Sequence, residues 1–123
     1  VVLAGLASDG GLYVPESVPS IPLSRQREWA GLSYPALAYE VMRPFVGDAL
    51  DERTLSRLID EAYATFRHPD VTPLVALAPG HYVLELFHGP TLAFKDVALQ
   101  FLGRLLDHFL GQRGERALVL GAT

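Results

Sequence analysis

The sequence predicts an α/β fold, with a largely helical N-terminal region followed by a βαβ unit of a parallel sheet. Three stretches predict it. "DERTLSRLIDEAYATF", Asp51 to Phe66, carries Leu55, Leu58, Ile59, Ala62, Tyr63 and Phe66 on one helical face. "HYVLELF", His81 to Phe87, is a nearly continuous apolar run broken by Glu85, the pattern of a strand covered on both faces. From Asp96 to Gln112 apolar residues recur in pairs at helical spacing, and "ALVL", Ala117 to Leu120, reads as a second buried strand. Strand, helix and strand with short links make a right-handed crossover.

The elements follow in order. Gly5 to Ser24 is rich in Gly, Pro and Ser; Asp9-Gly10-Gly11 is a turn signal, and Leu12 to Val14 fit a short edge strand before Pro15. Pro15, Pro19 and Pro22 exclude a helix there, and Ser24 can cap a short helical turn running to Trp29. Ser33 is a second N-cap, with Pro35 in the first turn, where a missing N–H costs little. Leu37, Val41 and Phe45 then form a helical stripe, Pro44 distorts the last turn and Gly47 ends it. Asp51 caps the clearest helix, with Leu50 and Leu55 at the hydrophobic-staple positions, and the helix stops before His68-Pro69. Val71 to Leu77 fits an extended segment, and Gly111 and Gly114 end the last helix.

A chain of 123 residues, half of them apolar, suits one compact domain, here an N-terminal segment over 1–78 and the start of an α/β domain over 79–123. The net charge of −4 argues against a general nucleic-acid partner. There is no cysteine, which removes disulfides and thiolate metal sites and fits a cytoplasmic location. No apolar run approaches the ~18 residues of a membrane span. His68, His81 and His108 lack metal-ligand spacing, so no metal is expected. The chain starts at Val1 and stops at Thr123 directly after an apolar run, and both ends read as cuts through a longer chain. Two parallel strands make a poor sheet, so further strands are expected after Thr123. Until they pair, Ala117 to Leu120 would be an open edge through which the chain self-associates.

The chain has nine arginines and one lysine, Lys95, which follows the turn His88-Gly89-Pro90 and opens the last helix. A lysine that attacks a carbonyl must be neutral. The positive end of the helix dipole disfavours an ammonium there, and an apolar wall of Phe87, Leu92 and Phe94 does the same by desolvation. Asp96 pulls the other way. The bland alternative is a solvated lysine at a helix start in an arginine-biased sequence. Asp60 and Glu61 fall on the outer face of their helix and read as solvated.

"HGPTLAFKD", His88 to Asp96, resembles the pyridoxal-phosphate lysine motif of the threonine synthase family, in the tryptophan-synthase-β-like group of PLP enzymes. "GLASDGGLYVPESVP", "FVGD" and "FRHPDVTPL" are similar to other segments of that family, so the resemblance covers essentially the whole chain. It implies an incomplete fold type II PLP enzyme, a carbon–oxygen lyase acting on phosphates in threonine biosynthesis. The implied reaction turns O-phospho-L-homoserine and water into L-threonine and phosphate, with Lys95 as Schiff-base lysine and later as proton carrier. The resemblance places Phe94 near the cofactor ring and Thr91 near the cofactor. Core packing for Phe94 and a turn or capping role for Thr91 are the competing readings. His88 reads as a satisfied strand-end histidine, and Gly89 and Pro90 as turn residues. Wider relatives often carry Gly-Ser where this chain has Leu92 and Ala93, so no serine hydroxyl is assigned. The phosphate-binding loop would follow Gly121-Ala122-Thr123. Two alternatives stay open: a threonine-synthase-like phospho-lyase with another substrate, and a catalytically silent interaction module.

Overall fold

The computed structural model describes residues 1–120. Its centre is one helix, α3 (Glu52–Tyr63), which packs on α2 (Tyr34–Val46) on one side and α4 (Asp96–Arg113) on the other. The apolar face read from the sequence is the buried one: Leu55, Leu58, Ile59, Ala62 and Tyr63 are each at most 5% exposed. Burying side chains of this size contributes about 1.5–3 kcal/mol each. Asp51 caps α3 by accepting the Thr54 N–H at 2.8 Å and the Thr54 hydroxyl at 3.0 Å. Leu50 joins Leu55 in the core, as a staple requires.

α2 and α4 lean on this face. α2 starts after Ser33, whose hydroxyl accepts the Ala36 N–H at a long 3.5 Å, and contains Pro44 in its last turn. The expected stripe Leu37, Val41 and Phe45 is not the one that faces the core: Val41 is 40% and Phe45 54% exposed. Tyr34, Ala38, Tyr39, Met42 and Val46 pack there instead. α2 carries two apolar stripes, and contact with α3 selects one of them. α4 contributes Phe101, Leu105 and Phe109 to the core and ends at Gly114, in left-handed conformation. The short α1 (Leu23–Glu28) is preceded by Pro22 rather than capped by Ser24, with no side-chain cap bond.

The sheet differs from expectation. β1 (Leu74–Ala78) and β2 (His81–Leu84) form an antiparallel hairpin, with Leu74 opposite Leu84 and Val75 opposite Val83, turned at Pro79-Gly80 with Gly80 at φ 76°. β2 is not covered on both faces: Tyr82 is 60% and Leu84 53% exposed. Ala117 to Leu120 forms neither a strand nor a buried segment, with Leu118, Val119 and Leu120 all above 80% exposed. Leu12 to Val14 is likewise irregular and exposed. A strand exists only where a neighbour satisfies its backbone, and among the described residues neither segment has one. The parallel βαβ pairing is therefore not formed within residues 1–120, and Gly121-Ala122-Thr123 lies outside the described residues.

The core makes a direct prediction for this chain. Ile59→Ala should lower its unfolding free energy by about 2–5 kcal/mol, whereas Leu118→Ala should change it by less than ~0.5 kcal/mol. Urea titration of both variants measures the contrast. Equal losses would show that α3 is not the organising element.

Candidate functional site

The segment Glu85–Asp96 leaves β2, turns, and enters α4. Its path is fixed at several points. The Arg67 N–H donates to the His88 carbonyl at 2.8 Å and the Glu85 N–H to the Pro73 carbonyl at 3.0 Å, which tie the segment to the chain after α3. His88 Nε2 meets Glu85 Oε2 at 2.6 Å, both side chains being largely buried, and the His88 ring lies 5.1 Å from that of His68. His88 is thus a partnered histidine after the strand, in keeping with its reading from the sequence.

The first turn of α4 is tied to the core by Tyr63, whose hydroxyl donates to the Val97 carbonyl at 3.2 Å. Burial raises the Tyr63 pKa well above its usual value, with Tyr34, edge-on at 4.9 Å, adding to the shift, so the phenol stays protonated and donating.

Lys95 occupies the N-cap position of α4, and its side chain is exposed. Among the described residues it forms no ion pair. The carboxylate expected to hold its charge, Asp96, turns inward and is 3% exposed. Asp96 Oδ2 accepts the Thr91 N–H at 2.8 Å, and Oδ1 accepts the Thr91 hydroxyl at 2.9 Å and Gln100 Nε2 at 3.3 Å. Burial alone would raise the Asp96 pKa. Hydrogen bonds from the Thr91 backbone and hydroxyl, from Gln100 and from the Ala93 backbone outweigh it and hold the group below its ordinary 3.8.

Two backbone features complete the turn. Gly89 is buried, and a Cβ there would collide with the side chain of Asp96, so only glycine lets the turn close. Leu92 has φ 62°, the left-handed region that a leucine rarely adopts. Glycine would enter that region freely. Phe94 is 65% exposed rather than packed in the core. The structure thus brings Thr91, Phe94 and Lys95 onto one turn, with both donors of Thr91 committed to Asp96.

Sequence reasoning missed the buried Asp96 cluster. Its signal was a glycine and a threonine shortly before an aspartate at a helix start, a set of donors and space for one carboxylate. An open concavity of about 780 Å³ lies elsewhere, between α1, α2 and the start of α3, lined by Arg25, Trp29, Glu40 and Arg43 among others, and Lys95 takes no part in it. Among the described residues, no cluster of three or more His, Cys, Asp or Glu could hold a metal ion, and no helix is long and apolar enough to cross a membrane.

A family profile described as "Threonine synthase N terminus" matches residues 1–63 of the 123. The chain belongs to the threonine synthase family. It is 56% identical over 123 residues to the threonine synthase of Pseudomonas aeruginosa, covering 100% of this chain and 26% of that protein. It is 40% identical over 123 residues to "Threonine synthase-like 2" of Homo sapiens, covering 99% of this chain and 25% of that protein. Among solved structures, the PLP-bound threonine synthase from Brucella melitensis superposes with a TM-score of 0.90 at 51% identity, over 94% of this chain and 25% of that one. The chain therefore spans about a quarter of the length of the threonine synthase family members it matches. Its helices and two-stranded sheet match the N-terminal portion of a PLP-dependent threonine synthase, so the α/β class of the family holds even though the parallel pairing is not formed in residues 1–120.

The depressed pKa of Asp96 predicts an acid limb. The ionised group stabilises the fold above its unfolded pKa of about 3.9, and the contribution is lost as pH falls through the lower folded value. Asp51, lowered chiefly by hydrogen bonds from Thr54, adds to the same limb. Stability should fall as the pH drops below about 4, and Asp96→Asn should flatten part of that fall. Denaturant midpoints between neutral pH and pH 2 (about the lower end of the carboxylate range) measure it, and an identical limb in the variant would remove Asp96 from the account.

Proposed function

We propose that this chain is the N-terminal part of a PLP-dependent threonine synthase, in which Lys95 carries the cofactor. The observation that supports the reading is local. The one lysine of the chain stands at the head of α4 with its amine free of ion pairs among the described residues, while the neighbouring carboxylate is bonded away into the turn. An aldehyde cofactor needs an accessible amine that a carboxylate does not hold as an ammonium, and these residues fit that requirement. Phe94, next to Lys95 in the chain, offers an exposed aromatic ring to the cofactor. Thr91, its donors spent on Asp96, retains only acceptor lone pairs for the cofactor.

The activity proposed is conversion of O-phospho-L-homoserine and water to L-threonine and phosphate. PLP, when bound, supplies an electron sink for charge developing at the substrate Cα. Lys95 holds the cofactor through Nζ. With substrate bound, the Lys95 amine would take the protons from Cα and Cβ, return one to Cγ after phosphate leaves it and the other to Cα after water adds at Cβ, the leaving phosphate taking up the proton that water gives up. The turn at Pro79-Gly80 is the proposed division between the N-terminal segment and the start of the PLP-binding domain. The open edges of β1 and β2 are where an isolated chain would self-associate.

Borohydride reduction of the full-length protein followed by peptide mapping should place the pyridoxyl group on Lys95, and label on another lysine would remove the assignment. Lys95→Ala should abolish turnover, and so should Lys95→Arg, because a guanidinium stays protonated.

A second reading is a threonine-synthase-like phospho-lyase acting on another substrate; the chain is also 40% identical to a human protein named only "Threonine synthase-like 2". The products separate the two. The full-length enzyme should release phosphate and threonine in equal amounts from O-phospho-L-homoserine, while phosphate with ketobutyrate and no threonine would favour the lyase.

A further inference from the structure

The geometry points to Asp96 as the positioning residue for Lys95: its carboxylate holds the turn Gly89–Ala93 against the first turn of α4 and so fixes the direction in which the amine is presented. This rests on the assignment of Lys95 as the cofactor lysine. Asp96 is the buried charged side chain among the described residues, at 3% exposure. Among the described residues it forms no ion pair; its hydrogen-bond partners are neutral donors. Burying a carboxylate in that way is costly unless hydrogen bonds replace its water.

Those donors sit on both sides of Lys95 in the chain. Thr91 lies in the turn before it and Gln100 on the helix after it, and both bond the same carboxylate. Lys95 is therefore bracketed, and neither the turn nor the helix start can shift without breaking a charge-assisted hydrogen bond. Gly89 lets the carboxylate lie directly against the turn backbone. An amide could not replace it cleanly. All three bonds end on carboxylate oxygens; an amide would give up the charge that strengthens them and would force the Thr91 hydroxyl and the Gln100 side chain to reverse from donor to acceptor. An apolar side chain would fill the same space but would leave the Thr91 N–H and hydroxyl without partners. The carboxylate supplies direction, which packing alone does not. It also removes the negative charge nearest in sequence from the reach of the amine.

The test uses the full-length holoenzyme and its cofactor-free form, as wild type, Asp96→Asn and Thr91→Val. Borohydride labelling of the wild type first locates the cofactor lysine. In the cofactor-free Asp96→Asn protein, amides of the Gly89–Phe94 segment should exchange with deuterium on the order of 10-fold faster, reflecting the lost hydrogen bonds. In the holoenzyme, kcat should fall on the order of 100-fold through misplacement of the amine. KM should change little, and the pH midpoint of the visible cofactor band should move. Thr91→Val retains the backbone bond and loses the hydroxyl, so it should shift the same quantities in the same direction by less.

A folded Asp96→Asn protein with wild-type kcat per folded molecule and an unmoved band midpoint would overturn the inference. If Asp96→Asn does not fold, Thr91→Val decides on the same readouts. Label on a lysine other than Lys95 in the wild type defeats the cofactor assignment itself, whereas label on Lys95 with unaltered variants defeats only the role of Asp96.

Discussion

Among the described residues, the apolar face of α3 is what the packing of α2 and α4 depends on. α2 meets it from one side and α4 from the other, and Val71, 2% exposed, closes it just beyond the helix. That closure forces Val71 to φ 58°, an unfavourable backbone for a β-branched residue, so local conformational energy is exchanged for burial. The hairpin of β1 and β2 has no comparable support. It makes its own ladder but leaves most of its side chains in water, so it follows the helical layer rather than organising it.

The core reaches the site through a few polar links. Tyr63 is at once a core side chain and the donor to the Val97 carbonyl, so the packing of α3 sets the position of the first turn of α4. The Arg67 N–H does the same for the other end of the turn through the His88 carbonyl. Between these two anchors the chain closes on Asp96, whose carboxylate gathers donors from Thr91 and Gln100. The exposed Lys95 thus stands between two segments that are each hydrogen-bonded to the Asp96 carboxylate.

Much of this was legible in the residues, and the divisions are physical. The α3 face and the Asp51 cap follow from local periodicity and local hydrogen bonding, and the sequence contains both. The placement of Lys95 at the start of α4 follows from a turn signal and a helical repeat in the same way. The stripe on α2 was misread because Leu37, Val41 and Phe45 and the neighbouring Tyr34, Ala38 and Met42 are both apolar at helical spacing. Only the partner helix distinguishes them. The strand expected at Ala117 to Leu120 is not formed among the described residues for a related reason. Apolar, β-branched content makes a segment fit to pair, but pairing depends on a neighbour that composition does not reveal. The Asp96 cluster escaped because an aspartate in the first turn of a helix is ordinarily a solvated partner of the dipole. Its burial depends on the missing Cβ of Gly89, a tertiary contact.

Leu92 carries a consequence for the angular setting of the helix. A residue at φ 62° cannot be absorbed into a right-handed helix, so α4 has a stop just upstream of its first turn and cannot lengthen backward through it. Consecutive helical residues point about 100° apart, so the backbone register that enters α4 below Leu92 sets the direction in which Lys95 leaves the chain. The left-handed leucine and the carboxylate of Asp96 act as a phase lock, one forbidding overwinding into the turn and the other forbidding unwinding out of it.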